Sequence, residues 1–362
     1  ALNDLDVLAS DIGNAYLNAE CREKIYFTAG PEFGLHEGQK VLIVRALYGL
    51  KSSGAAWRAH LAQSMLDIGF KPCLADPDVW MKPAVKKNGD KYYEYVLIYV
   101  DDILAVSEHP HLIMETLSGV YRFKEDPTSK AKWAPPTRYL GANIANYQLP
   151  SSTGTKKHWS MSADDYVINA VKNVEQELAK LDKRLPTKVD CPMSSSYRPE
   201  LEVSPFLSPE LMNYYQNLIG VLRWAVELGR IDIHVSVSLL SQYLAQPREG
   251  HLDQAFRIFG WLKKHSRSRV VFDDGYVDWR DKFVDVDWSD FYPDAVEPIP
   301  SNAPESRGPE VQVNCFVDAD HAGNRITRRS HTGVLIYCNK APICWYSKRQ
   351  NTVETSTFGS EF

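Results

Sequence analysis

The chain has 362 residues with 41 basic and 46 acidic side chains, a net charge of −5, and 44% hydrophobic residues. Such a composition excludes collagen-like, low-complexity and disordered classes, and the length suggests two or three domains. Its longest apolar run, Tyr95 to Val100, falls far short of the roughly 20 residues of a membrane helix, which excludes that class of span.

Val7–Ala9 and Tyr95–Val106 are β-rich apolar runs. Between them Ala55–Ile68 predicts a helix, with Trp57, Leu61, Met65 and Ile68 on one face and Ser53 as its cap. This mixture reads as an α+β fold. From about residue 155 to 266 the pattern turns helical. Ser162 with Asp165 resembles a capping box, followed by the stripe Val167, Val171, Val174, Leu178 and Leu181. Ser208-Pro209-Glu210 opens a further helix that Gly229 closes, and Leu252, Phe256, Phe259 and Leu262 mark another. Residues 271–310 differ sharply, with eleven acids against three bases and prolines at 293, 298, 300, 304 and 309. They read as a partly extended connector. Strands resume at Val311–Val317 and Gly333–Cys338. No signal-peptide pattern opens the chain, no internal repeat is visible, and six cysteines without zinc spacing read as reduced intracellular thiols.

The sharpest chemical signal is Tyr99-Val100-Asp101-Asp102, two adjacent carboxylates in the middle of an apolar β-run. Tight hairpins favour Asn-Gly or Asp-Gly, so two aspartates without glycine are a poor local choice. Paired carboxylates beside a packed sheet are costly unless cations balance them. A hairpin tip presenting acids to divalent metal is the functional reading, and a solvated turn is the bland one. A second acid, Asp11, ends the apolar run Val7-Leu8-Ala9-Ser10, with Tyr16 five residues later. As a plain helix cap it would mean nothing. With the hairpin it supplies what two-metal phosphoryl transfer needs, carboxylates converging from separate strands.

Asp11 to Tyr16, Leu47-Tyr48-Gly49-Leu50-Lys51 with Trp57, and Tyr99-Val100-Asp101-Asp102, in this order and spacing, resemble the reverse transcriptase of copia-type LTR retrotransposon Pol polyproteins. The resemblance covers essentially the whole chain. It implies a right-hand polymerase palm with partial fingers over residues 1–150 and a helical thumb over 151–270. An acidic connector over 271–310 and a truncated RNase H-like α/β segment over 311–362 would follow.

By that resemblance Asp11, Asp101 and Asp102 are catalytic ligands for two Mg²⁺ ions, with Mn²⁺ as the alternative. Tyr16 would wall off a 2′-hydroxyl, Tyr99 and Val100 would lie near the primer terminus, and Gly49 and Lys51 would face template or phosphate. The family usually has glutamine after that lysine, and Ser52 stands there instead. Tyr139, Leu140 and Gly141 resemble the primer grip, for which a plain β-turn has equal weight. Asp318 or Asp320, with Glu361, resemble part of the RNase H carboxylate cluster. The basic cluster Lys263, Lys264, His265, Arg267 and Arg269 has two readings, contact with phosphates and complementing a helix dipole, of which the second is slightly favoured.

The implied partners are RNA template, DNA primer, RNA–DNA hybrid and dNTPs, in a cytoplasmic virus-like particle, with no membrane. Sparse fingers and missing RNase H acids make a non-catalytic remnant that binds nucleic acid the rival expectation. The overall acidity is no obstacle to such partners. Apart from the connector's −8, the other 322 residues carry +3.

Overall fold

The apolar alternation around the two aspartates does fold as a hairpin, inside a five-stranded antiparallel sheet. The computed structural model describes residues 2–151, 154–278, 287–294 and 298–361. They divide into two compact units, Leu2–Pro136 with Glu297–Pro309, and Thr137–Val296 with Glu310–Phe362.

The first unit runs β1 (Asp6–Asp11), β2 (Tyr26–Thr28), β3 (Lys40–Leu42), α1 (Ser53–Asp67), β4 (Lys71–Pro72), β5 (Val79–Val85), β6 (Lys91–Tyr99), β7 (Asp102–Ser107) and α2 (Pro110–Ser118). Its main sheet has the order β1-β7-β6-β5-β4, and β2 and β3 form a separate pair. Strand β7 shows the expected period of two, burying Ile103, Ala105 and Ser107. Helix α1 buries Trp57, Leu61 and Met65, one face at a spacing of four residues. That face and Ile113, Met114 and Leu117 of α2 share a core with Val96, Ile103 and Ala105. Ser53 does not cap α1. It lies inside the helix and is buried, while Ser52 holds the cap position without a side-chain hydrogen bond. A helical φ/ψ at Ser52 (−86°, −13°) explains this, because a side-chain cap needs an extended residue there.

The second unit carries β8 (Arg138–Tyr139), β9 (Ala142–Ser151), β10 (Gly154–Ser162), α3 (Asp164–Ala179), α4 (Pro209–Glu227), α5 (His234–Leu240), α6 (Glu249–Lys264) and β11 (Arg269–Val271). Then follow β12 (Val313–Ala319), β13 (His331–Cys338), β14 (Ala341–Arg349) and α7 (Thr357–Glu361). Its sheets have the orders β11-β10-β9-β8 and β12-β13-β14. Val167, Val171, Val174 and Leu178 of α3 pack with Leu218, Leu222 and Val226 of α4 and Ala255, Phe259 and Leu262 of α6. Leu181 lies beyond the end of α3 and is exposed. The capping box is also absent, since Ser162 ends β10 and Ala163 takes the cap position. Asp164 and Asp165 fall in the first turn, where negative charge suits the helix dipole. At α4 the expected start holds: the Ser208 hydroxyl accepts the Leu211 N–H at 3.3 Å, and Gly229 follows the helix with φ 98°. Trp345 of β14 donates to the Val226 carbonyl at 3.1 Å, tying the last sheet to the end of α4.

The acidic stretch is not wholly a free tether. In the first unit Tyr93 donates to the Glu305 carbonyl at 2.7 Å and Lys91 pairs with the Glu305 carboxylate at 3.0 Å. In the second unit the Val277 N–H reaches the Gln312 side chain at 2.9 Å. Residues 279–286 and 295–297 of the predicted connector lie outside the described residues. Among the described residues all six cysteines are free, and no helix is long and apolar enough to cross a membrane.

Candidate active site

Three carboxylates meet where β1 ends and the β6–β7 hairpin turns. Asp11 closes β1 and pairs directly with Asp102, the first residue of β7. Directly opposed residues of an antiparallel ladder have Cα atoms about 4.5–5.5 Å apart. Two like charges are thereby forced together, an arrangement unfavourable by itself.

Tyr99 pairs with Asp102, leaving only Val100 and Asp101 in the turn. Val100 has φ 59°, a left-handed conformation that a β-branched residue adopts only under constraint. Two tertiary bonds supply the constraint. The Trp57 indole N–H donates to the Val100 carbonyl at 2.6 Å, and the Ile12 N–H donates to the Asp101 carbonyl at 2.8 Å. The hairpin therefore manages without glycine because α1 and β1 hold it from outside. Trp57→Phe keeps an aromatic ring but removes the donor and part of the buried indole, so it should destabilise the first unit by at least about 1 kcal/mol in urea unfolding. An unchanged midpoint would show that the bond does not hold the turn.

Lys124 completes the group. Its ammonium lies 3.2 Å from an Asp11 oxygen and 3.3 Å from an Asp101 oxygen, and its backbone N–H donates to the Asp11 carbonyl at 2.9 Å. Gly13 lets this segment approach β1, since a Cβ there would sit 3.2 Å from the Arg122 carbonyl oxygen. One ammonium faces three carboxylates, and the imbalance appears in their protonation. Burial, then the hydrogen bond and charge of Asp11 and the charge of Asp101, raise Asp102 from 3.8 to about 6, with Lys124 acting the other way. For Lys124 burial favours the neutral amine, but the bonds to and charges of Asp11 and Asp101 outweigh it and raise its pKa.

The sign of the pH effect follows. Between about pH 4 and 6 the folded chain holds a proton on Asp102 that the unfolded chain has released. Stability in metal-free buffer should therefore fall as pH rises through that window. Asp102→Asn removes the effect, so the stability difference between mutant and wild type should grow from pH 4 to 6 in denaturant titrations. A difference independent of pH would refute the raised value.

Tyr16 lies in the short 3-10 helix Ala15–Asn18, entered through Asn14 at φ 52°. Its ring packs on Tyr48 with centroids 4.2 Å apart. Burial and then the negative charge of Asp101 raise the Tyr48 pKa, which places its phenol in the field of the acids. Gly49 has φ 96° in a turn closed by the Leu50 N–H to the Leu47 carbonyl at 3.3 Å, and a Cβ there would meet nothing within 4 Å. Lys51 is exposed, as is Tyr99.

Tyr139, Leu140, Gly141 and Ala142 form a tight turn in the second unit. Leu140 and Gly141 are both at positive φ (46° and 88°) between β8 and β9. The three other predicted acids also lie in this unit. Asp318 is exposed on β12, opposite Gly333. The Asp320 carboxylate accepts the His331 N–H at 2.7 Å and lies against Gly323. Glu361 is exposed on α7, next to buried Ser360, whose hydroxyl meets His321 Nδ1 at 3.0 Å. Most of the basic cluster is engaged with the protein itself: Lys263 with Glu175 at 2.6 Å, Lys264 with the Val189 carbonyl at 3.0 Å, and Arg269 over the Tyr147 ring.

Sequence reasoning passed over Lys124 and the Trp57 bond to Val100. Only a faint signal pointed to Lys124, the alternation Tyr121-Arg122-Phe123-Lys124, whose two aromatics are buried.

Comparison with known proteins gives a consistent picture. Residues 1–175 match the family described as reverse transcriptase (RNA-dependent DNA polymerase). The chain is 24% identical over 357 residues to the retrovirus-related Pol polyprotein from transposon RE1 of Arabidopsis thaliana, covering 97% of this chain and 20% of that protein. It is 27% identical to the transposon Ty5-1 protein YCL074W of Saccharomyces cerevisiae, covering 94% of this chain and 92% of that protein. The Pol polyprotein from transposon TNT 1-94 of Nicotiana tabacum is 23% identical over 99% of this chain and 23% of its own length. The chain thus spans about a fifth of the two plant polyproteins.

Proposed function

We propose, from the match of residues 1–175 to the reverse transcriptase family, that this chain carries out RNA-directed DNA synthesis from dNTPs. The convergence of Asp11, Asp101 and Asp102 at one edge of the main sheet carries the proposal. Hard oxygen donors in excess over a single ammonium suit Mg²⁺, with Mn²⁺ as the alternative. When bound, two such ions would activate a primer 3′-hydroxyl and neutralise charge on the triphosphate.

The chain's own residues do the positioning. The direct β1–β7 pairing sets Asp11 against Asp102, and the Trp57 and Ile12 bonds fix the turn that presents Asp101. Tyr16, backed by Tyr48, forms a rigid wall where a 2′-hydroxyl would overlap the ring. Tyr99, Val100, Gly49 and Lys51 border the same hairpin and turn as primer and template contacts. In the second unit the tight turn at Tyr139, Leu140 and Gly141 is proposed as the primer grip and the helices around it as the thumb. Three antiparallel strands followed by a helix, with Asp318, Asp320 and Glu361, support an RNase H-like segment from residue 311.

The test is extension of a labelled DNA primer on an RNA template by this chain with Mg²⁺ and dNTPs. Template-dependent extension is expected. Salt-sensitive hybrid binding without any incorporation would overturn the proposal and leave the nucleic-acid-binding remnant.

A further inference from the structure

The acidic stretch begins with a pair of aspartates that the polymerase reading does not use. Strand β11 pairs with β10 as Ser160 with Val271, and the ladder continues one step further, the Phe272 N–H donating to the Trp159 carbonyl at 2.9 Å. The chain then delivers Asp273 and Asp274 to His158, the next residue along β10. His158 is 3% exposed, and its Nδ1 has no hydrogen-bond partner. That nitrogen faces the Asp274 carboxylate at 3.7 Å, beyond hydrogen-bonding distance. One nitrogen of His158 and one oxygen each of Asp273 and Asp274 lie within 4.8 Å of one another.

A buried imidazole nitrogen without a partner is unfavourable, and the groups around it show what would satisfy it. The Asp274 side chain is itself only 7% exposed. Lys156 reaches both of its oxygens, at 2.7 and 2.8 Å, from a side chain that is 54% exposed. One Asp273 oxygen accepts the Gly275 N–H at 2.9 Å, which orients the carboxylate. With imidazole neutral, two carboxylates and one ammonium leave a residual negative charge beside an open nitrogen donor. One imidazole nitrogen and two carboxylate oxygens make a donor set for a first-row divalent cation, with water filling the remaining positions.

We infer that His158, Asp273 and Asp274 form a structural site for a divalent transition-metal cation, of which Zn²⁺ is the best match. Ligand atoms around tetrahedral zinc lie about 3.3 Å apart, so side-chain rotations of roughly 1 Å close the present spread. The ion would hold the segment leaving β11 against β10. The same segment is tied to the final sheet, because the Asn339 side chain donates to the Asp274 carbonyl at 2.8 Å and accepts the Gln312 N–H at 2.8 Å. A cation there would lock the turn between β13 and β14 to the four-stranded sheet. The proposal does not depend on the polymerase reading.

The test is calorimetric titration of Zn²⁺ into the EDTA-stripped full chain, with Co²⁺ absorption as a second readout of nitrogen and oxygen ligation. Wild type and Asp101→Asn should each bind one tight equivalent, which separates this site from the three-carboxylate site. His158→Gln and Asp273→Asn should each weaken that equivalent by about 100-fold. They should also lose the Zn²⁺-induced rise in melting temperature seen in wild type. Asp273→Asn removes charge from a partly exposed position and serves if His158→Gln fails to fold. Equal Zn²⁺ affinity in wild type and Asp273→Asn, or no binding by wild type, would overturn the inference.

Discussion

Asp101→Asn should abolish primer extension, lowering incorporation by about 10³-fold or more, with little change in folding stability. The two halves of this result come from the same geometry. Asp101 shares Lys124 with Asp11, at 3.3 and 3.2 Å, so removing one negative charge leaves the ammonium paired. It also removes one of the charges that, after burial and Asp11, raise Asp102. On the proposed two-metal reading, by contrast, the substitution removes a ligand that no neighbour replaces. Extension kinetics and thermal melting of the same preparation measure the two effects. Unchanged extension would remove Asp101 from the catalytic set, whereas a collapse of melting temperature would assign it a structural role.

The largest stability effect is expected in the second unit. Arg230 is 1% exposed, and its guanidinium meets Asp232 twice, Nε to Oδ1 at 2.9 Å and Nη2 to Oδ2 at 2.7 Å. The Trp261 indole N–H also reaches Asp232 Oδ2, at 2.7 Å. Asp232→Ala would strand a buried guanidinium whose Nη1 already has no partner. The expected cost is about 3–5 kcal/mol, or roughly 10 °C in the melting of the second unit. Arg230→Met with Asp232→Leu should recover much of this loss, because the penalty lies in the unpaired charge rather than in the missing pair. A single mutant within about 0.5 kcal/mol of wild type would contradict the burial of Arg230. The pH sign is opposite to that of Asp102. Burial alone would raise Asp232, but the bonds from Arg230 and Trp261 and the Arg230 charge lower it. Its contribution is therefore present above 3.8 and is lost as pH falls through the lower folded value.

Local pattern was a good guide where local physics decides. The alternation in β7, the four-residue spacing on α1 and the Ser208-Pro209 start of α4 all follow from side-chain periodicity and cap chemistry. It misled at Ser53, which α1 takes into its own first turn, and at Ser162 with Asp165, where β10 takes the serine as its last residue. Leu181 continued a helical stripe on paper, yet α3 stops at Ala179 and leaves that side chain in solvent.

The candidate site divides along the same line. Asp11, Asp101 and Asp102 were legible because carboxylates at the ends of apolar strands violate the local preference for burying only uncharged groups. Tyr16 and the Gly49 turn were legible from spacing and resemblance. The Lys124 bridge to Asp11 spans 113 residues, and the Trp57 bond to Val100 spans 43. Neither has a local signature, since a lysine and a tryptophan satisfy their own segments equally well elsewhere. The approach of Asp273 and Asp274 to a partnerless imidazole nitrogen on β10 is of the same kind. By itself the sequence determined which groups carry charge and which strands and helices present them. Tertiary structure alone decided which charges face one another, because strand pairing and core packing set those distances and chain separation does not.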